Sequence, residues 1–376
     1  MTTTHWMPGA QLPDELAALS VREPAWRSVR EHWRPQTLVL RDEEGRAHAA
    51  ALGTARPWAA YVKLVEVVAD SDDAFARLIA RVQETAVDAS QPVSETAPRP
   101  DVVLIEDPIE ASFLTPARRE RLRAAGFVQE EPAVPSVPST LAHGPAAVSV
   151  WSWWPGGRPA RRIPYYGQTT EVTCGAVTAL DALHATGTGG FSTDRVDNHA
   201  VEIDFWRQAT NLPACEPIGL AVAARRAHDD PGRTPRVVIS TDGPILLEEY
   251  RDRPGELRLR EDLQADARRH AQRLAIPIAE RWIEAHEIAA LVRAGELVGI
   301  LIDLTPLIDD PSPHWILAYD VAGDDLIVSD PWVDAENGES WADTFALPLP
   351  PAAVERIARW GDPVYRAVVV FPDGPR

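Results

Sequence analysis

Residues 162–183, RIPYYGQTTEVTCGAVTALDAL, hold the side chains best suited to covalent chemistry. The first half is polar and turn-prone, and from Gly175 the pattern becomes apolar, with Val177, Ala179, Leu180 and Leu183 at helical spacing. This spacing predicts a helix that starts at Cys174. Unpaired N–H groups and the dipole at a helix start favour a thiolate, the form in which cysteine acts as a nucleophile. Gln168 lies six residues upstream, so its amide and the Cys174 backbone N–H are two donors able to converge on one oxyanion. A buried cysteine at a helix start gives the same local pattern, so the partners must decide.

A thiolate nucleophile needs a histidine to take and return a proton, and the histidine needs an orienting group. Residues 312–332, SPHWILAYDVAGDDLIVSDPW, read as a hairpin. Residues 315–321 are strand-like, 322–325 are a Gly/Asp turn and 326–328 are the return strand. With the turn near Gly323, His314 and Asp330 fall at the open end of the hairpin, nearly across from one another. A carboxylate so placed can hold an imidazole.

Gln168, Cys174-Gly175, the Pro313-His314-Trp315 strand start and the Asp330-Pro331 pair resemble the papain-like cysteine peptidases of the bacteriocin-processing C39 type, over about residues 164–371. The resemblance implies Gln168 for the oxyanion hole, Cys174 as nucleophile, His314 as general base and acid, and Asp330 as its orienter. Thr173 stands where an acidic residue often precedes the cysteine, and Ala176 where a proline often follows the glycine. These departures point to an outlying, C39-like branch.

The elements that must position this site belong to the second of two expected domains, 151–376, joined by a Pro-rich linker at 131–150 to a first domain at 1–130. In the first, residues 36–40 and 47–53 bracket the turn RDEEGR. A strand at 60–68, a helix to Val87 with Phe75, Leu78, Ile79 and Val82 on one face, a buried strand at 101–108 and a helix from Thr115-Pro116 to Gly126 follow. This order, with the ending Ala124–Phe127, resembles the GNAT-type N-acetyltransferases. The loop where that family cradles the coenzyme A pyrophosphate is here Val68–Asp73, with three carboxylates and no glycine, so a degenerate scaffold without cofactor is expected. Trp151, Trp153 and Trp154 read as an apolar plug at the start of the second domain. There, helices are expected at 205–209, 217–227, 257–274 (a solvated, charged face) and 288–297, with strands at 236–240 and 297–304. The overall expectation is an α+β fold, a papain-like peptidase domain preceded by a smaller α/β GNAT-like domain.

The chain has 376 residues, and its formal charge of -19 disfavours nucleic acid, whose phosphates demand a basic face, so no nucleic-acid partner is expected. The N-terminus lacks a basic start followed by an apolar run, and no stretch has membrane-spanning length, so a cytoplasmic protein without a membrane partner is expected. Cys215 is the second possible nucleophile, but Ala209 stands at the upstream spacing that Gln168 occupies for Cys174. His184, His199, His228, His270 and His286 are not at metal-binding spacings, so neither metal nor other cofactor is expected. The reading is a cysteine peptidase or amidohydrolase acting on an amide bond of a peptide or protein. The alternative is a non-catalytic peptide-binding protein that keeps the pocket. The particular peptide and the oligomeric state are not encoded in these motifs.

Overall fold

The structure, a computed structural model, describes residues 2–3, 6–90, 93–135, 148–192, 197–210 and 213–373. The chain divides into two compact units. One comprises Met1–Pro132, Pro145–Arg158 and Val333–Asp343, and the other Ala133–Gly144, Pro159–Trp332 and Thr344–Arg376. Both mix helices and sheet, as the sequence implies.

The first unit runs β1 (Thr2–Thr3), β2 (Met7–Pro8), α1 (Asp14–Ala17), α2 (Glu23–Ser28), β3 (Gln36–Arg41), β4 (Ala47–Thr54), β5 (Tyr61–Ala69), α3 (Asp72–Val87), β6 (Val102–Pro108), α4 (Pro116–Ala124), β7 (Val128–Gln129) and β8 (Val148–Trp153). Its sheet has the order β1-β3-β4-β5-β6-β8-β7, with β2 also on β3. Strands β3, β4 and β5 form an antiparallel meander, and β5 pairs parallel to β6 across the α3 connection. Ser71 caps α3 by accepting the Ala74 N–H, and Phe75, Leu78, Ile79 and Val82 pack it against one face of the sheet. Leu16 and Trp26, from α1 and α2, cover Val39, Ala50, Leu52 and Val65 on the other face. Burial on both faces explains why β5 is apolar almost throughout rather than alternating.

Two expectations change here. Val148–Trp153, read as the end of the linker and a plug for the second domain, is a strand of the first sheet, antiparallel to β6 and β7. Trp151 joins the core under α3, where its indole is removed from water. Residues 136–147 of the expected linker lie outside the described residues.

The first unit also buries charge. Lys63, the only lysine in the chain, meets Glu106 at 2.8 Å and Asp343 at 2.6 Å. Arg56 holds Glu339 through two bonds of 2.7 and 2.6 Å, and Trp33 donates to the same carboxylate at 2.7 Å. These contacts lock Val333–Asp343 into the unit's core. Burial alone would raise the Glu106 carboxyl, but Lys63 and Arg22 beside it bring it down to about 2.

The second unit runs α5 (Cys174–Ala185), α6 (Asn198–Ala209), α7 (Pro217–Arg226), β9 (Arg236–Ile239), α8 (Pro254–Arg273), β10 (Ile278–Glu280), α9 (Ala285–Arg293), β11 (Leu297–Asp303), α10 (Thr305–Ile308), β12 (Pro313–Ala322), β13 (Asp325–Ser329), β14 (Leu347–Leu349), α11 (Pro351–Ile357) and β15 (Ala367–Phe371). The sheet order is β10-β9-β15-β11-β12-β13-β14, antiparallel except for β10 on β9. Every residue of α5 from Cys174 to Leu183 is buried, so this helix is the centre of the unit's core. It lies on β12 and β11, with the Thr178 hydroxyl donating to the Trp315 carbonyl at 3.2 Å. Gly299 permits that approach, since a Cβ there would come within 3.2 Å of Thr178 Cγ2. On α8, by contrast, Gln264 and Ala271 are the buried residues, consistent with a solvated face.

Candidate active site

Cys174 is the first residue of α5, as the change of pattern at Gly175 implies. Gly175 has a packing reason to lack a side chain. A Cβ there would stand 2.8 Å from Cys215 Cβ and 3.1 Å from Trp315 Cδ1, too close for either to remain in place. The close seat of α5 on Trp315 puts the start of the helix beside the start of β12, and His314 is the second residue of that strand.

The hairpin closes as its turn residues imply, with Leu317 opposite Ser329 and a register shift between Ala318 and Asp320. Asp330 follows directly after β13. Its Oδ1 accepts His314 Nε2 at 2.7 Å and the Trp332 N–H at 2.8 Å. With Nε2 so engaged, Nδ1 is the ring nitrogen available to Cys174, whose side chain is hydrogen-bonded to His314. His314 is 3% exposed and Asp330 0%. Burial by itself would lower the imidazole pKa, but Asp330 first and Cys174 second raise it to about 10. The ring therefore carries its proton at neutral pH. A protonated imidazole held by a carboxylate beside a cysteine can stabilise a thiolate.

Gln168 is buried in the loop before α5, where its backbone N–H donates to the Pro331 carbonyl at 2.9 Å. That bond ties the loop to the turn that carries Asp330. Tyr165 adds a second tie, donating to the Asp330 carbonyl at 3.1 Å. The Gln168 side chain donates one amide hydrogen to the Thr170 carbonyl at 2.7 Å, while its Oε1 is buried without a partner. The second amide hydrogen is not engaged by that bond. All four residues expected from the sequence thus lie in one unit, with Cys174, His314 and Asp330 in direct succession and Gln168 joined to the same turn.

Cys215 differs from Cys174 in each respect that matters. It is 0% exposed, against 5% for Cys174, and Glu216 rather than Cys215 caps α7. Burial, with smaller contributions from Cys174 and Glu216, pushes its thiol well above the ordinary range. Its carbonyl accepts Trp315 Nε1 at 2.9 Å, which ties the residue to the tryptophan that follows His314.

The sequence did not single out Glu202, on α6. This fully buried carboxylate accepts four hydrogen bonds from the loop before Cys174. The donors are Tyr166 Oη at 2.8 Å, the Thr169 N–H at 2.9 Å, Thr169 Oγ1 at 2.8 Å and Thr173 Oγ1. A signal was present. Asn198, Glu202, Phe205 and Ala209 form the buried stripe of α6, and a glutamate on such a stripe needs partners.

In the first unit, Val68–Asp73 also reads differently in three dimensions. Asp72 pairs with Arg118 at 3.3 Å and Asp73 with Arg121 at 2.6 Å, both arginines coming from α4. Asp70 meets His48 at 2.7 Å. The carboxylates are thus offset by partners remote in sequence, which reduces the repulsion expected from them alone. Among the described residues no cluster of His, Cys, Asp and Glu is suited to a metal ion, and no helix is long and apolar enough to cross a membrane.

The chain belongs to the Peptidase_C39 like family, whose model matches residues 163–372, more than half of its length. That membership supports a peptidase-related function. Among solved structures it is similar to a protein assigned as a C39-like peptidase from Bacillus anthracis, at 11% identity and a TM-score of 0.29, covering 58% of this chain and 100% of that one. It is also similar to a variant spermidine N-acetyltransferase from Vibrio cholerae, at 11% identity and a TM-score of 0.24, covering 32% of this chain and 64% of that one. The chain therefore spans less than two thirds of that transferase. A further likeness is to a protein assigned as an acetyltransferase from Sphaerobacter thermophilus, at 13% identity and a TM-score of 0.23, covering 40% and 94%. No curated protein matches.

Proposed function

We propose that the protein is a cysteine peptidase or amidohydrolase that cleaves an amide bond in a peptide or protein. The observation that carries this reading is that His314, bonded through Nε2 to Asp330, is also engaged by the Cys174 side chain. In this scheme the Cys174 thiolate attacks the substrate carbonyl carbon. The oxyanion is held by the Cys174 N–H and the free amide hydrogen of Gln168. The C–N bond then breaks as His314 gives its proton to the leaving amine, which leaves an acyl group on Cys174 Sγ. Water completes the cycle. Its proton goes to His314, its oxygen to the acyl carbon, and the thiolate is released. Asp330 stays ionised throughout and fixes the ring.

The test uses a limiting dose of iodoacetamide on the intact protein, with the adduct mapped by mass spectrometry, followed by turnover of a pool of peptidyl-aminomethylcoumarin amides. Cys174 should be modified before Cys215, His314→Ala should slow the modification, and Cys174→Ala should abolish turnover. Equal labelling of the two thiols removes the support for catalysis. Selective labelling of Cys174 without turnover of any amide in the pool favours a peptide-binding protein that keeps the pocket.

A further inference from the structure

We infer that Glu202, on the neighbouring helix α6, is a positioning residue for the oxyanion-binding loop. The inference rests on the peptidase reading above. Its physical basis is the set of residues that Glu202 holds. Oε1 accepts the Thr169 N–H and the Thr173 hydroxyl, and Oε2 accepts the Tyr166 and Thr169 hydroxyls. Tyr166 and Thr169 lie on either side of Gln168, and Thr173 lies immediately before Cys174. One carboxylate therefore fixes both flanks of the proposed oxyanion donor and the residue that leads into the nucleophile.

The remaining bonds extend from this centre. Thr173 has one hydroxyl hydrogen, which it gives to Glu202, so the 3.0 Å contact between Thr170 Oγ1 and Thr173 Oγ1 is donated by Thr170. The carbonyl of the same Thr170 holds the Gln168 amide at 2.7 Å. Thr169 likewise gives its hydrogen to Glu202, so His199 Nδ1 at 2.7 Å from Thr169 Oγ1 is a donor and carries the proton. The Tyr166 ring stacks on Phe191 with centroids 3.8 Å apart, which fixes the far end of the loop.

The Gln168 side chain makes no bond through Oε1, so its direction depends on the loop backbone and on the Thr170 carbonyl. A bidentate acceptor beneath that loop is what an orienting device requires. An uncharged amide in its place offers one acceptor oxygen and turns two N–H donors toward groups that are themselves donors.

Alkylation and acyl transfer separate this role from simple support of the fold. Iodoacetamide reacts with a thiolate by displacement at a saturated carbon and forms no oxyanion, whereas amide turnover forms one. Glu202→Gln should lower kcat on the peptidyl-aminomethylcoumarin pool by about ten- to a hundredfold, the size of a small misplacement of a catalytic group. It should leave KM and the rate of Cys174 alkylation unchanged. In a Gln168→Ala background the same substitution should cost nothing further, because the group it positions is already gone. Tyr166→Phe, which removes one of the four donors and keeps the ring, should show the same pattern at smaller amplitude and serves if Glu202→Gln folds poorly. Equal loss in both backgrounds, or loss of alkylation in step with turnover, overturns the inference. A wild-type protein that turns over no amide removes the peptidase reading and this inference with it, whereas an active wild type with an equally active Glu202→Gln removes the inference alone.

Discussion

In the first unit Glu106, Glu339 and Asp343 are buried against Lys63, Arg22 and Arg56, three carboxylates facing three cations. In the second unit Glu202 is buried against three hydroxyls and a backbone N–H, and Asp330 against an imidazole and a backbone N–H. Both arrangements satisfy the rule that a buried charge must be paired or hydrogen-bonded. They differ in what happens when a proton moves. The ion pairs of the first unit are fixed by permanently charged arginines and a lysine whose pKa Asp343 and Glu106 hold up against the effect of burial. The Asp330–His314–Cys174 succession contains a group that titrates, and its charge state depends on what the thiol is doing. One region is built to be inert and the other to be switched.

Breaking the inert region should have the largest effect on stability. Lys63→Met leaves Glu106 and Asp343 without their shared cation, and urea unfolding should show a loss on the order of 3–5 kcal/mol. Loss of well under 1 kcal/mol would mean that Arg22 and the Ser340 hydroxyl, which donates to Glu106 at 2.6 Å, suffice for that carboxylate, and that the pairing is not what retains Val333–Asp343. Next in size is the effect on chemistry. Gln168→Ala should lower kcat on the order of a hundredfold while the melting midpoint stays close to wild type. An unchanged kcat sinks the oxyanion assignment even if Cys174 is the nucleophile. Asp330→Asn should keep the fold and reduce turnover by less than Cys174→Ala does, since a neutral amide can still hold a ring nitrogen; complete inactivity with an intact fold would make the charge of Asp330, rather than its geometry, decisive.

The pH dependence should be gentler. His314 has its pKa raised in the folded protein from the ordinary 6.5 to about 10, so folding favours the protonated ring. This contribution is fully present below about pH 6.5 and is lost as pH rises through about 10. The melting difference between wild type and His314→Gln should accordingly shrink from pH 6.5 to pH 10. A difference that grows over that range would contradict the raised pKa. The smallest effect belongs to the surface. Arg27 and Glu23 form an exposed i,i+4 pair on α2, and Arg27→Ala should leave the melting midpoint unchanged within error.

Local pattern was enough to find Cys174 at a helix start, because the apolar spacing after Gly175 has one helical reading and the cysteine stands where it begins. The hairpin that joins His314 to Asp330 was also legible, because a Gly/Asp turn between two apolar runs fixes which residues end up opposite each other. The one-sided apolar spacing of α3 and the Thr115-Pro116 start of α4 were visible for the same reason, since they depend on residues close in sequence.

What depends on distant residues was not legible. The fate of Trp151 was decided by which sheet edge was free to receive β8, and an isolated strand carries no record of its partner. Asp72 and Asp73 looked uncompensated until α4 brought Arg118 and Arg121 to them. Lys63 gave no hint of burial, because a lysine is stable in a core only when remote carboxylates such as Glu106 and Asp343 surround it. Sequence by itself determined much of the order of the elements and singled out Cys174, His314, Asp330 and Gln168 as the candidate site. Only the tertiary structure set the charge of His314 and gave Glu202 its place under the loop, because pKa and hydrogen-bond partnership depend on distances between groups far apart along the chain.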